Sequence, residues 1–111
     1  MARKTGFDAY DVAIEIACAM RPLVEKIRRH DKELADQAQS ATQSIGNNIA
    51  EGRRRTKGDR IHLFRIALGS TGETQSTVDQ AEAWGYLQAQ ETTDVLALLD
   101  REQAMLWKLT H

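Results

Sequence analysis

Apolar residues recur every three or four positions in four separate stretches of this chain, each long enough for a helix. In the first, Val12, Ile16, Ala19, Leu23 and Ile27 form a seam, which Ala13, Ala17, Met20 and Val24 widen into a bundle-type face. Phe7 and Asp8 stand before it as staple residue and N-cap. Pro22 removes the hydrogen bond to the Cys18 carbonyl, so a kink is expected there, with two shorter helices as the alternative. The apolar phase continues across Pro22, which favours the kink. The basic run Arg28-Arg29 closes this helix as the dipole prefers, and Asp31 is placed to cap the next.

The second stretch, with Leu34, Ala38, Ala41, Ile45 and Ile49 inward, runs to about Arg53, and Gly52 is expected as its left-handed C-cap. A polar connection from Arg54 to Gly58 follows, with Asp59 capping a third helix. Its apolar positions are Ile61, Phe64, Leu68, Thr71, Gln75 and Val78. Gly69, Ser70 and Gly72 weaken it, at about 1 kcal/mol per Gly against Ala. They read as small residues that let a neighbouring helix backbone come close. Trp84-Gly85-Tyr86-Leu87 is the next turn, with Gly85 as the helix stop. The last helix spans roughly Ala89 to Leu109, with Val95, Leu96, Leu99, Met105, Leu106 and Leu109 facing in. Rods of roughly 30 Å joined by short connections predict an all-α, antiparallel up-down-up-down four-helix bundle. Residues 1–111 form one domain in this reading.

Beside the apolar seam of the second helix lies a polar stripe: Gln37, Ser44, Asn48 and Glu51, with Ala41 its one apolar member. A solvated face normally carries long charged side chains; this one carries short hydrogen-bonding groups and one carboxylate. Two readings stay open. The stripe is either a hydrogen-bonded seam that registers helices within the chain, or a contact surface for another copy or a partner. Ser70 and Glu73 on the third helix are its candidate counterparts.

Composition changes this picture little. Few aromatics and a single proline suit a helical chain, and 111 residues supply one core but little room for a deep catalytic cleft. A net charge of −1 gives no overall pull toward nucleic acid or membrane. One cysteine excludes an internal disulfide and fits a reducing cytoplasm; Cys18, inside the first apolar stretch, is expected to be a buried thiol. Arg3 and Lys4 have no apolar run behind them, so no signal peptide is expected, and no window approaches a membrane span.

The distribution of charge is more telling than its sum. Residues 53–65 hold six basic side chains against Asp59, residues 21–32 five against two, and residues 66–111 two against seven. Both basic segments lie near helix ends that an up-down bundle puts at opposite poles. Arg53, Arg54, Arg55, Lys57 and Arg60 are the candidate phosphate-binding rim; cations placed for helix dipoles and solubility are the plainer reading.

Catalytic and metal signatures are missing. No Glu precedes a His by three residues, as di-metal bundles require, and no His/Cys cluster has zinc spacing. No Gly-x-Ser-x-Gly elbow or Gly-rich phosphate loop occurs. Neither metal nor cofactor is expected. Glu51 and Glu73 are the one conceivable acid–base pair, but Glu51 lies four residues before Arg55, where a local ion pair is the simpler account.

Ser44-Ile45, Asn48-Ile49-Ala50-Glu51-Gly52, Phe64, Ile66-Ala67-Leu68-Gly69-Ser70, Glu73 and the Trp84-Gly85-Tyr86-Leu87 turn together resemble a known family. It comprises the bacterial four-helix-bundle proteins encoded in 23S rRNA intervening sequences and the accessory variability protein of diversity-generating retroelements. Gly46 stands where that family usually has proline, and Gln39-Ser40 where it often has two arginines. The resemblance implies a ring-shaped homopentamer and a non-enzymatic, cytoplasmic binding or scaffold role. Subunit registration would fall on the polar seam: Gln37, Ser44, Asn48, Glu51, Ser70 and Glu73. The accessory protein suggests an alternative, association with RNA, DNA or a nucleic-acid enzyme such as a reverse transcriptase through Arg53–Arg60.

Overall fold

The structure, a computed structural model, describes residues 4–111; Arg3, in the N-terminal basic run, lies outside the described residues. Four helices, α1 (Asp8–Arg28), α2 (Lys32–Gly52), α3 (Lys57–Ala83) and α4 (Ala89–Thr110), make up the fold, with no strand among the described residues. Each helix packs on its sequence neighbours, and α4 closes back on α1. At one end Lys26 of α1 pairs with Glu91 of α4 at 2.8 Å, and His30 stacks on Tyr86. At the other, Phe7 stacks on Phe64 and Arg65 reaches the Thr110 carbonyl. These pairings are those of consecutive antiparallel helices, so the two inter-helix turns bearing cations sit at opposite poles. No helix among the described residues is long and apolar enough to cross a membrane.

On α1 and α2 the inward stripes follow the apolar periods, although Ala17 is exposed. On α3 the expected Ile61, Leu68 and Gln75 are only half-buried. There Ala67, Ser70, Thr74 and Thr77 join Phe64, Thr71 and Val78 in the core, because small and hydroxyl side chains face the other helices. Val12, Ile16, Met20, Leu23 and Ile27 of α1, and Leu34, Ala38, Ala41, Ile45 and Ile49 of α2, are buried. α1 runs without interruption through Pro22, which faces solvent, so the alternative of two shorter helices does not hold. Cys18 is exposed rather than buried. At about 100° per residue it lies some 200° round the helix from Ile16, on the face away from the core. On α4 the buried positions are Thr92, Val95, Leu99, Glu102, Leu106 and Thr110. That stripe passes through Thr110 and leaves Leu109 at its edge, 39% exposed.

Helix ends were partly as expected. Asp31 caps α2, its carboxylate accepting from the Leu34 N–H at 2.9 Å. Gly85 ends α3 at φ +78°, with the Tyr86 N–H bonded to the Ala81 carbonyl and the Gly85 N–H to the Glu82 carbonyl. This is a Schellman closure, and it requires the left-handed region that glycine enters freely. Asp8 is not the N-cap of α1. Phe7 holds that position, and the chain is fastened ahead of it by the Thr5 hydroxyl and N–H, which donate to Asp11 at 2.8 and 3.1 Å. Nor does Asp59 cap α3, which begins two residues earlier behind Thr56 and places Asp59 within its first turn.

Three glycines depart from expectation for reasons of packing. Gly52 is the last residue of α2, and its φ is not positive; Arg53 is the cap, in right-handed conformation. What glycine supplies there is space: a Cβ at Gly52 would lie 2.7 Å from Cε1 of Phe64. Gly69 and Gly72 do the opposite of what was expected, since a Cβ at either would meet nothing within 4 Å. They accommodate no close helix. The middle of α3 is instead buried through hydroxyl groups. Thr71 and Thr74 donate to the carbonyls of Ala67 and Ser70 at 2.8 and 2.9 Å, so their polarity is spent inside the helix.

Candidate functional site

The polar stripe of α2 divides into three parts. In the first, Ser44 and Ser70 share a hydrogen bond of 2.7 Å across the α2–α3 seam, and Asn48 Nδ2 donates to the Ser44 carbonyl and hydroxyl at 2.9 and 3.0 Å. Ser70 is buried, so this bond sets the register of the two helices with no orphaned group. Here the intramolecular reading of the stripe holds.

The second part opens outward. Gln37, Ser44 and Glu73, with Asp36, Ser40 and Ser76, line a groove of about 550 Å³ between α2 and α3. Gln37 and Glu73 are exposed on it. Its lining is hydroxyl groups, the amides of Gln37 and Gln80 and the carboxylates of Asp36 and Glu73, with Ala41 the one apolar residue among the described residues that line it. The third part is Glu51, which stands apart: Arg55 Nη2 donates to its carboxylate at 2.8 Å and holds its pKa below the usual range. From the Ser44–Ser70 bond, Glu51 lies seven residues toward one pole and Glu73 three toward the other. At 1.5 Å per residue that is roughly 15 Å along the bundle. The structure does not bring these two carboxylates together as an acid–base pair.

The basic candidates gather at the Phe7 end. Arg53 and Arg60 lie 5.0 and 5.9 Å from the centre of the Phe7 ring, and Arg60 is also 5.3 Å from that of Phe64. Cation–π contact holds both guanidinium groups against the bundle end. Arg53 and Arg54 line a cleft with Thr5, Tyr10 and Ala50. Arg55 is occupied by Glu51, and Lys57, exposed, opens α3 at φ +52°. Among the described residues, Arg53, Arg54, Lys57 and Arg60 make no ion pair, although Asp11 and Glu51 are near enough to feel the charges of Arg53 and Arg54 respectively. The other basic segment is largely neutralised: Arg21 pairs with Glu25, Lys26 with Glu91, and Arg28 and Lys32 with Asp36.

Residues 6–108 match the family described as 23S rRNA-intervening sequence protein. The chain belongs to that family. A solved structure from Bacteroides thetaiotaomicron, described as a protein with unknown function from the S23 ribosomal protein family, has the same fold. Its TM-score is 0.84 at 21% sequence identity, covering 92% of this chain and 97% of that one. No curated protein matches the chain.

Within this intervening-sequence protein, the motif residues divide by role. Ser44, Asn48 and Ser70 join α2 to α3, whereas Gly52 and Phe64 interlock. Among the described residues no group of three His, Cys, Asp or Glu side chains is placed to hold a metal ion. His30 and His111 are stacked on Tyr86 and Trp107, and His62 is exposed. Sequence reasoning missed Glu102, a fully buried carboxylate with no hydrogen-bond partner on either oxygen. Its signal was present in the 3–4 spacing of Val95, Leu99, Glu102 and Leu106. It missed Phe7 too, whose ring gathers the arginines rather than merely stapling a helix.

Proposed function

We propose that this 23S rRNA-intervening sequence protein is a non-enzymatic, self-associating scaffold of the cytoplasm, whose copies meet at the α2–α3 groove in a ring of five. The observation that carries this is the groove itself. It is lined by polar side chains and set beside a seam already satisfied inside the chain, so Gln37 and Glu73 remain for an outside contact. The serines around them, Ser40 and Ser76, lose little rotamer entropy when a partner seats on them. The family resemblance supplies the number five.

Native mass spectrometry at low salt, on protein purified without nuclease, tests the proposal. The expected species is near five chain masses, and Glu73→Leu should shift it toward monomer while Asp94→Leu, on exposed α4 surface, does not. A wild-type monomer, or a Glu73→Leu oligomer of unchanged mass, overturns it. Asn48→Leu is a poorer probe, since Asn48 also supports the Ser44–Ser70 bond.

A second reading is favoured by one observation, the four unpaired cations held at the Phe7 end. There the assembled protein binds RNA, DNA or a nucleic-acid enzyme through Arg53, Arg54, Arg55, Lys57 and Arg60. Binding to a labelled RNA should weaken steeply with salt, and triple alanine replacement of Arg53, Arg54 and Arg60 should flatten that slope. Affinity indifferent to both removes this reading.

A further inference from the structure

We propose that Glu102 makes the α1–α4 seam a pH-operated joint, in which ionisation of its carboxyl lifts the C-terminal half of α4 from α1. The side chain of Glu102 is wholly buried on the inward stripe of α4, between Leu99 and Leu106, and both of its oxygens lack a hydrogen-bond partner. Glu15 on α1 bears on it with the same charge, and Arg101 on its own helix with the opposite one. From α3 comes no charge: Thr71 and Thr74 are buried with their hydroxyls bonded to their own helix, and Gln75 bonds Asp100 and Gln103 on α4. The core face of α2 carries only apolar residues and Thr42. No buried cation is present among the described residues to match this carboxylate.

A carboxylate without a partner is far more costly to bury than the neutral acid. Burial therefore holds Glu102 protonated up to about 8, against the opposing pull of Arg101 and with a smaller push from Glu15. Above that, the charge is relieved by reaching water, and the seam with α1 is where α4 can yield. Of the four neighbouring helix pairs, α1 and α4 touch least. The start of α4 is anchored by the Lys26–Glu91 pair and the Gly85 turn. Its far half is tied to α3, by Gln75 to Asp100 and Gln103 and by a long bond, 3.4 Å, from Arg65 to the Thr110 carbonyl. No hydrogen bond or ion pair among the described residues ties it to α1, and Trp107 and Leu109 already face solvent there. Lifting this half uncovers Leu99 and Leu106 together with the Val12–Ile16 face of α1.

The linkage has a definite sign. A group protonated in the closed state and ionised in the open one raises the opening constant about tenfold per pH unit, from its ordinary range up to its closed-state value. Above about 8 the rise levels off. Residue-resolved hydrogen exchange from pH 5.5 to 9.5, corrected for intrinsic rates, reads this directly. In the wild type, amides 98–110 should lose protection tenfold per unit and then plateau, while α2 amides do not follow. Glu102→Gln, or Glu102→Met should the amide fail to fold, should leave amides 98–110 flat. Wild-type protection independent of pH, an equal loss in the Gln or Met variant, or a loss shared by α2 would each overturn the joint.

Discussion

Gly52→Ala adds one methyl group where the bundle has no room for it. At a helical position open to solvent, alanine in place of glycine stabilises by about 1 kcal/mol, because the unfolded chain has fewer conformations to lose. At Gly52 the new Cβ would lie 2.7 and 2.8 Å from two carbons of the Phe64 ring and 3.3 Å from Leu63 Cβ. Comfortable carbon–carbon contact is about 3.5–4.0 Å, so the ring must retreat by most of an ångström. It is poorly placed to do so: Phe64 is 1% exposed, stacked on Phe7 at 5.9 Å and covered by Arg60. Overpacking of this kind costs about 1–3 kcal/mol. Set against the backbone gain, the net is a loss of up to about 2 kcal/mol. Gly69→Ala and Gly72→Ala meet nothing within 4 Å and should each gain about 1 kcal/mol. Urea unfolding of the three variants reads the clash as the gap between Gly52→Ala and Gly69→Ala, about 1–3 kcal/mol. In a Phe64→Leu background, where the ring is gone, that gap should shrink. A Gly52→Ala protein as stabilised as Gly69→Ala would refute the packing account and restore a purely conformational role for this glycine.

Other consequences are simpler to check. Asp31→Ala removes the acceptor of the Leu34 N–H and should lower stability by about 1 kcal/mol in thermal or urea melts, with Asp31→Asn retaining most of it. Ser70→Ala breaks the bond to Ser44 and should cost about 1 kcal/mol, and adding Ser44→Ala should cost less than a second independent loss, since a double-mutant cycle couples them. On the acid side, Asp11, Asp36, Glu51 and Glu91 all have pKa values lowered, chiefly by hydrogen bonds from Thr5, Arg28, Arg55 and Lys26 respectively. Depressed carboxylates contribute stability above their ordinary range, and it is lost as pH falls through the lowered values. The melting temperature should therefore fall below about pH 4, less steeply in Glu91→Gln. A flat acid limb would show that these hydrogen-bonded carboxylates contribute nothing.

The number of helices, their order and the inward phases of α1 and α2 were legible in the chain, because periodicity and capping act within a few residues of one another. Val12–Ile27 of α1 and Leu34–Ile49 of α2 face the core as their spacing dictates, Asp31 caps, and Gly85 turns the backbone left-handed. Each is a local decision, settled by hydrogen bonds and side-chain period. The site was legible as a stripe but not as a geometry. That Ser44 would bind Ser70, that Glu51 would turn to Arg55, and that Gln37 and Glu73 would share an open groove depended on which helix surfaces meet and in what register. The same holds for Gly52, whose reason is a ring twelve residues away, and for Phe7, which meets Arg53 and Arg60 only once three chain segments converge. Glu102 shows the division most plainly. Its phase put it inward from the start, but whether an inward carboxylate finds a partner is decided by the neighbouring helices, and here they offer none.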